Sequence, residues 1–239
     1  MASIRRRTRR YTHPKKNMGR MLWFWIALTF ATPLYALALY FVSVKQVHAR
    51  DCPIVLDLNG NGEIDVSGLT TANRHVYSFF FLPKFVEFDL RATGERTKID
   101  WVLPNTDGFL LDMRQGPPSR EIDGRWLFAN VDHADGFEKL AELDANGDKK
   151  LQSKELKNLA LWIDNGDGLF ERSELRTLVQ FGITEIPIKP TLVPGGYGGQ
   201  KMIAYATSDQ GGIYMEDVWF LSEQEMETTD MAISRFFRF

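Results

Sequence analysis

The sequence holds one cysteine, Cys52, in 239 residues. That excludes an internal disulfide framework and any zinc site needing two thiolates. Histidine is nearly as scarce: His13, His48, His75 and His133 lie scattered along the chain. His75 or His133 beside Ser78 or Asp132 reads as local polar surface, and no nucleophile constellation is found. Gly195-Gly196-Tyr197-Gly198-Gly199 lacks the following helix and lysine of a phosphate loop, so it reads as a turn. The chain is expected not to be an enzyme.

Acidic residues are missing from the first fifty positions, whereas residues 1–20 carry eight Lys/Arg. From Asp51 onward, 19 Lys/Arg face all 31 Asp/Glu, a balance of −12 hidden beneath an overall net charge of −2. An acidic body argues against nucleic acid as its partner and points to cations. Between the two, Met21 to Val44 runs without a charge. As a helix it would span about 36 Å, enough to cross a hydrocarbon core of ~30 Å. Trp23, Trp25, Tyr35, Tyr40 and Lys45 suit interfacial positions, Pro33 is tolerable in a membrane helix, and the basic head would lie inside. A cleaved signal peptide is the competing reading, since Val47-His48-Ala49 resembles a cleavage site. The expected layout is a basic cytoplasmic segment (1–20), a transmembrane helix (21–44) and a linker (45–52). An α+β domain (53–221) and an acidic, then aromatic and basic tail (222–239) follow.

In the body, Pro53 to Leu58 reads as a strand running into the turn at Asn59-Gly60-Asn61-Gly62. Phe79-Phe80-Phe81, Phe85 to Phe88, Trp101 to Leu103 and Phe109 to Leu111 are further strand candidates. Asp135-Gly136-Phe137-Glu138 is a capping box and predicts a helix to about Leu143. Ser153 is expected to cap a helix to about Leu161, and Ser173 one to Phe181 that Gly182 ends. Ile183 to Ile188 alternates, Pro190 to Gln200 reads as a loop, and Met202 to Tyr205 with Ile213 to Phe220 as a closing pair of strands. The expected fold is α+β, with short strands, hairpins and a small helical part around two Asp/Asn/Gly loops.

Those loops carry the chemistry. In Asp144-Ala145-Asn146-Gly147-Asp148-Lys149-Lys150-Leu151-Gln152-Ser153-Lys154-Glu155, oxygen side chains fall at positions 1, 3, 5, 9 and 12, the spacing with which an EF-hand loop wraps Ca²⁺. Asp144, Asn146 and Asp148 would supply side chains and Lys150 its carbonyl. Gln152 would act directly or through water, and Glu155 through both oxygens. Lys149 stands where glycine is usual and must adopt a positive φ or shift the turn. In the second loop, Asp164-Asn165-Gly166-Asp167-Gly168-Leu169-Phe170-Glu171-Arg172-Ser173-Glu174, one residue is missing. Asp164, Asn165, Asp167 and Glu174 take the corresponding roles, and Leu169 stands where Lys150 does. A polar turn without metal is the alternative for either loop. Only eight residues separate Glu155 from Asp164, too few for an ordinary EF-hand pair, so the loops are expected to share one short helix.

Pro53 to Gly62 resembles the opening of the haemolysin-type calcium-binding module of RTX-related, iron-regulated proteins. Phe88-Asp89-Leu90, Glu95-Arg96-Thr97, Trp101-Val102, Asp107-Gly108-Phe109-Leu110 and Leu127-Phe128 are similar to it in order. So are Asp135-Gly136-Phe137, Leu143 to Asp148, Leu161-Trp162, Phe181-Gly182-Ile183 and Asp217-Val218-Trp219-Phe220. The resemblance covers about residues 53–220 and implies a bacterial, exported, calcium-loaded α+β module. Departures follow Asp89 (Arg91, Thr93, Gly94) and Asp112 (Arg114, Gln115, Pro117-Pro118), where oxygen ligands are lost. Asp57, Asn59, Asn61 and Asp65 keep oxygens, with Gly68 where a twelfth-position Glu would stand. The Gly/Asp nonapeptide repeat is absent. Some relatives cleave themselves at an Asp-Pro bond; this chain has none.

The expected function is therefore a membrane-anchored, single-pass calcium-binding protein of the bacterial inner membrane with its C-terminal domain in the periplasm. It would be held by residues 21–44 as an accessory subunit beside a protein partner. The alternative is a secreted or surface RTX-related calcium-binding protein released by signal-peptide cleavage.

Overall fold

Three consecutive apolar residues, each fully buried, make strand β1 (Ile54–Leu56). Alternate side chains of a strand point to opposite faces, so Val55 enters one core while Ile54 and Leu56 enter a second. Strands β4 (Gly108–Asp112) and β6 (Leu159–Trp162) are built likewise. Phe109, Leu111, Ala160 and Trp162 join Val55, and Leu110, Leu159 and Leu161 join Ile54 and Leu56. This computed structural model describes residues 51–66, 85–116, 118–195 and 200–223.

The remaining strands are β2 (Val86–Phe88), β3 (Thr97–Ile99), β5 (Lys150–Gln152), β7 (Leu175–Thr177), β8 (Ile183–Pro187), β9 (Thr191–Pro194), β10 (Gln200–Ser208) and β11 (Gly211–Asp217). Among the described residues, nine strands form one sheet in the order β5-β8-β10-β11-β1-β4-β6-β7, with β9 also on β10. Its pairings are antiparallel. Strands β2 and β3 make a separate antiparallel pair. The long pair β10–β11 runs in unbroken register from Met202↔Asp217 to Ser208↔Gly211. On one face Trp101 packs against Phe88, Phe109, Trp162 and Phe220, with ring centroids 4.5 to 5.8 Å apart.

The expectation of an α+β fold is corrected: among the described residues the protein is mostly β, with one α-helix, α1 (Gly136–Ala141). That helix starts where the capping box predicts. Asp135 accepts from Glu138 N at 2.8 Å, and Glu138 reaches back to Ala134 N at 2.5 Å. The helix expected from Ser153 is a four-residue 3-10 turn, Glu155–Asn158, followed by β6. Ser153 has a φ of 52° and caps nothing. The helix expected from Ser173 divides into a 3-10 turn (Arg172–Glu174), β7 and a second 3-10 turn (Leu178–Phe181). Gly182 closes the last of these with a left-handed φ of 63°. The loops therefore share no helix; the first contains β5 and the second leads into β7, the two ends of the strand order.

The membrane placement is corrected as well. No helix among the described residues is long and apolar enough to cross a membrane. The expected transmembrane helix, single-pass inner-membrane location, cytoplasmic N-terminus and periplasmic domain therefore have no support among the described residues. Segment 21–44 itself lies outside the described residues, as do Phe79 to Phe81, Gly68, Gly196 to Gly199 and the tail from residue 224.

Candidate metal centre

Carboxylates are unusually common in this interior. Among the described residues, Asp57, Asp65, Asp89, Asp100, Asp107, Asp112, Asp164, Glu174, Glu216 and Asp217 are all buried, alongside one buried cation, Lys139. A buried carboxylate is costly unless hydrogen-bonded or matched by a positive charge. Some are matched by side chains. Asp112 takes Arg114 at 2.6 Å and Lys139 at 3.6 Å, and Lys201 reaches Glu216 at 3.1 Å. Burial pushes the Asp112 carboxyl up, but these two cations prevail and hold it below the ordinary carboxylate range. Protein cations thus occupy the position after Leu111 where the resemblance implies that metal ligands are lost. Lys139, which sequence reasoning missed, also donates to the carbonyls of Arg125 and Leu127 at 2.7 and 2.6 Å.

The first predicted loop folds onto its own backbone. Asp144 accepts from Gly147 N at 2.8 Å and Lys149 N at 2.9 Å, and Asn146 Oδ1 from Asp148 N at 2.8 Å. Asp148 accepts from Lys150 N through Oδ1 and from Asn146 and Gln152 through Oδ2. Glu155 bridges the loop, with Oε1 on Ala145 N at 3.0 Å and Oε2 on Gln152 N at 3.1 Å. Lys149 adopts the positive φ, 70°, that its position demands. Lys150 Nζ turns away to Glu185 at 2.6 Å.

The second loop repeats this closure inside the core. Glu174 places Oε1 on Asn165 N at 2.9 Å and Oε2 on Glu171 N at 3.0 Å. The indole of Trp162 adds a further donor to Oε2 at 2.9 Å. Asp167 accepts from Leu169 N at 2.8 Å, and Gly168 turns the chain at a φ of 69°. Asp164 is divided. Its Oδ2 receives the indole of Trp101 at 2.6 Å, Gly166 N at 3.1 Å and Gly168 N at 3.2 Å. Its Oδ1 is buried without a hydrogen-bond partner. Burial pushes the Asp164 carboxyl up to about 6 against several N–H donors that lower it. A cleft lined by Asn105, Asn165, Glu171, Ser173, Glu174 and Arg176 opens beside this loop.

A third loop, 57–65, has the same closure with its last carboxylate taken from elsewhere. Asp57 accepts from Gly60 N and Asn61 N through Oδ1 and from Gly62 N through Oδ2. Asn59 and Asn61 both donate to Asp65 at 2.8 Å. Asp107, just before β4, places Oδ1 on Leu58 N at 3.3 Å and Oδ2 on Asp65 N at 2.6 Å. Those are the two loop positions that Glu155 bridges in the first loop. Burial pushes Asp107 up to about 7. No spacing rule could reveal it, because it comes from 49 residues beyond Leu58.

The structure thus brings each set of predicted residues into one loop, but not into a converged ligand shell. Among the described residues, no group of three or more His, Cys, Asp or Glu is gathered closely enough to hold a metal ion. Backbone N–H groups, side-chain amides and indoles take up most of these oxygens, and among the described residues Asp164 Oδ1 is the buried ligand oxygen left without a hydrogen-bond partner.

Comparison with known proteins agrees with the ordered motifs. The iron-regulated protein FrpA of Neisseria meningitidis serogroup C is 33% identical over 152 residues, which are 60% of this chain and 12% of that protein. The chain therefore spans only a small part of this relative's length. A family model described as the SPM domain matches residues 73–221, from ahead of β2 through β11 and including both predicted loops. The match takes in most of the strands and more than half of the sequence, and the chain belongs to the SPM-domain family.

Proposed function

We propose that this chain is a calcium-binding module of the RTX-related kind, in a secreted or surface protein, and that it works by binding rather than catalysis. One observation carries the reading: Asp164 Oδ1, a carboxylate oxygen buried in an Asx/Gly loop with no donor against it. A hard cation that takes oxygen ligands suits that atom. The likeness to an iron-regulated relative and the surplus of buried carboxylates support the same reading. Asp164, Asn165, Asp167, Leu169 and Glu174 would hold one ion. Asp144, Asn146, Asp148, Lys150, Gln152 and Glu155 would hold another, in a more exposed loop. Calcium supplies positive charge to clustered carboxylates whose mutual repulsion opposes folding. The membrane-anchored accessory role has no support in the fold and is not retained.

The test is thermal melting of the chain with chelator, with millimolar Ca²⁺ and with Mg²⁺. Calcium should raise the melting temperature, and more than Mg²⁺ does, because Mg²⁺ demands near-octahedral geometry and sheds water reluctantly. Glu155→Ala and Asp164→Asn should each remove part of the rise. Equal melting with chelator and with Ca²⁺ would refute the reading.

A further inference from the structure

The seven residues Trp101 to Asp107 touch two of the three loops. At one end, Trp101 donates its indole N–H to Asp164 at 2.6 Å, and Asn105 N donates to the Asp164 carbonyl at 2.9 Å. At the other end, Asp107 closes loop 57–65 through Leu58 N and Asp65 N. Between them, Leu103 N donates to the Asp65 carbonyl at 2.8 Å and Val102 bridges Val66. Thr106 fastens the turn by donating its hydroxyl to the Leu103 carbonyl at 2.9 Å. Trp101 is buried within the close-packed aromatic cluster, so a shift of its indole with the Asp164 carboxylate is passed on to the segment that follows it.

We infer that segment 101–107 couples the two loops. A cation held at Asp164 fixes Trp101 and Asn105, and through them Asp107, so that loop 57–65 is ordered by occupancy of loop 164–174. The inference rests on the calcium reading of loop 164–174 and requires no metal in loop 57–65. Trp101 is then a positioning residue. Together with Gly166 N and Gly168 N it saturates Oδ2 of Asp164, which leaves Oδ1 as the oxygen presented to a cation. Coupling of this kind is reciprocal, so weakening loop 57–65 should also weaken binding at loop 164–174.

Amide hydrogen exchange of the full chain, with chelator and with saturating Ca²⁺, tests the coupling. Calcium should slow exchange at Gly166 and Gly168, and also at Gly60, Asn61 and Gly62, by about tenfold or more, the scale of a lost hydrogen bond to a charged group. Trp101→Phe keeps a ring but loses the donor. It should retain the calcium response of loop 144–155 while losing the response at Gly60 to Gly62. Should that variant fail to fold, Asp164→Asn keeps an acceptor for the indole and should lose the same distant response. In the wild type, the Trp101 indole N–H resonance should move with the amides of Gly166 and Gly168 along one titration curve. Protection at Gly166 and Gly168 without any at Gly60 to Gly62 would overturn the coupling and leave the calcium reading intact. A response at Gly60 to Gly62 that survives both substitutions would overturn it too, because loop 57–65 would then respond on its own. No calcium response at any amide would remove the calcium reading itself, and the coupling with it.

Discussion

Asp217 shows what a single residue contributes when the interior is acidic. It is fully buried on β11, accepts from Gly136 N at 3.0 Å and lies beside the Cys52 thiol. Burial pushes its carboxyl up to about 7, opposed by the Gly136 N–H and the thiol and reinforced by Asp135 and Glu216. The same burial, with Asp217 adjacent, raises the Cys52 thiol far above its ordinary value, so this lone cysteine is not poised to react. The native pKa of Asp217 exceeds the unfolded one, so the native state retains a proton that the unfolded chain has released. Stability at this residue is therefore greatest below about pH 4 and falls as pH rises to about 7, by an amount on the order of 4 kcal/mol. Asp217→Asn should be more stable than the wild type at neutral pH and should show a shallower decline across that window. Urea melts at several pH values measure both, and parallel curves for the two proteins would contradict the assignment. Asp107 and Asp164 contribute slopes of the same sign, so some decline should remain in the variant.

At the scale of elements, α1 depends on both its cap and its first glycine. Asp135→Ala removes the acceptor for Glu138 N and should cost about 1 kcal/mol in a denaturant melt. Gly136→Ala should cost more, about 1–3 kcal/mol, because a Cβ there would meet the Phe128 carbonyl and come within 2.8 Å of Ile54. If the two variants proved equally mild, the packing of α1 onto β1 would be looser than described. This helix was legible in the sequence because a capping box is a local signal. Strands β1, β4, β8, β10 and β11 were legible from short apolar or alternating runs between turns. Strand β6 was not. Leu159-Ala160-Leu161-Trp162 is buried on both faces, which erases the period of two and leaves a run that suits a helix equally well. The ligand residues of both predicted loops were readable from spacing because each loop closes on itself. Asp107, Trp101 and Trp162 escaped because their partners come from other parts of the fold, as with the 49 residues between Asp107 and Leu58.

At the scale of the molecule, the placement of the loops matters as much as their chemistry. Loop 144–155 contains β5 and loop 164–174 runs into β7, and these strands stand at the two ends of the strand order of the sheet. An edge strand offers unpaired N–H and C=O groups to any other extended chain. Strands β5 and β7 are three residues long and each lies in or beside an acidic loop, while β9 forms a further, four-residue edge on β10. Where calcium holds those loops, the termini of the sheet stay short and charged. Where it is removed, the carboxylates would repel and the edges would lose their anchors. On the calcium reading proposed above, self-association would thereby be tied to the calcium level of the surroundings. Light scattering should rise on adding chelator at neutral pH and fall when excess Ca²⁺ is restored. A chain that stayed monomeric under chelation would show that the edges are guarded by something other than the loops. The same arrangement would let a low-calcium compartment hold the chain open, and a calcium-rich one close it without a chaperone.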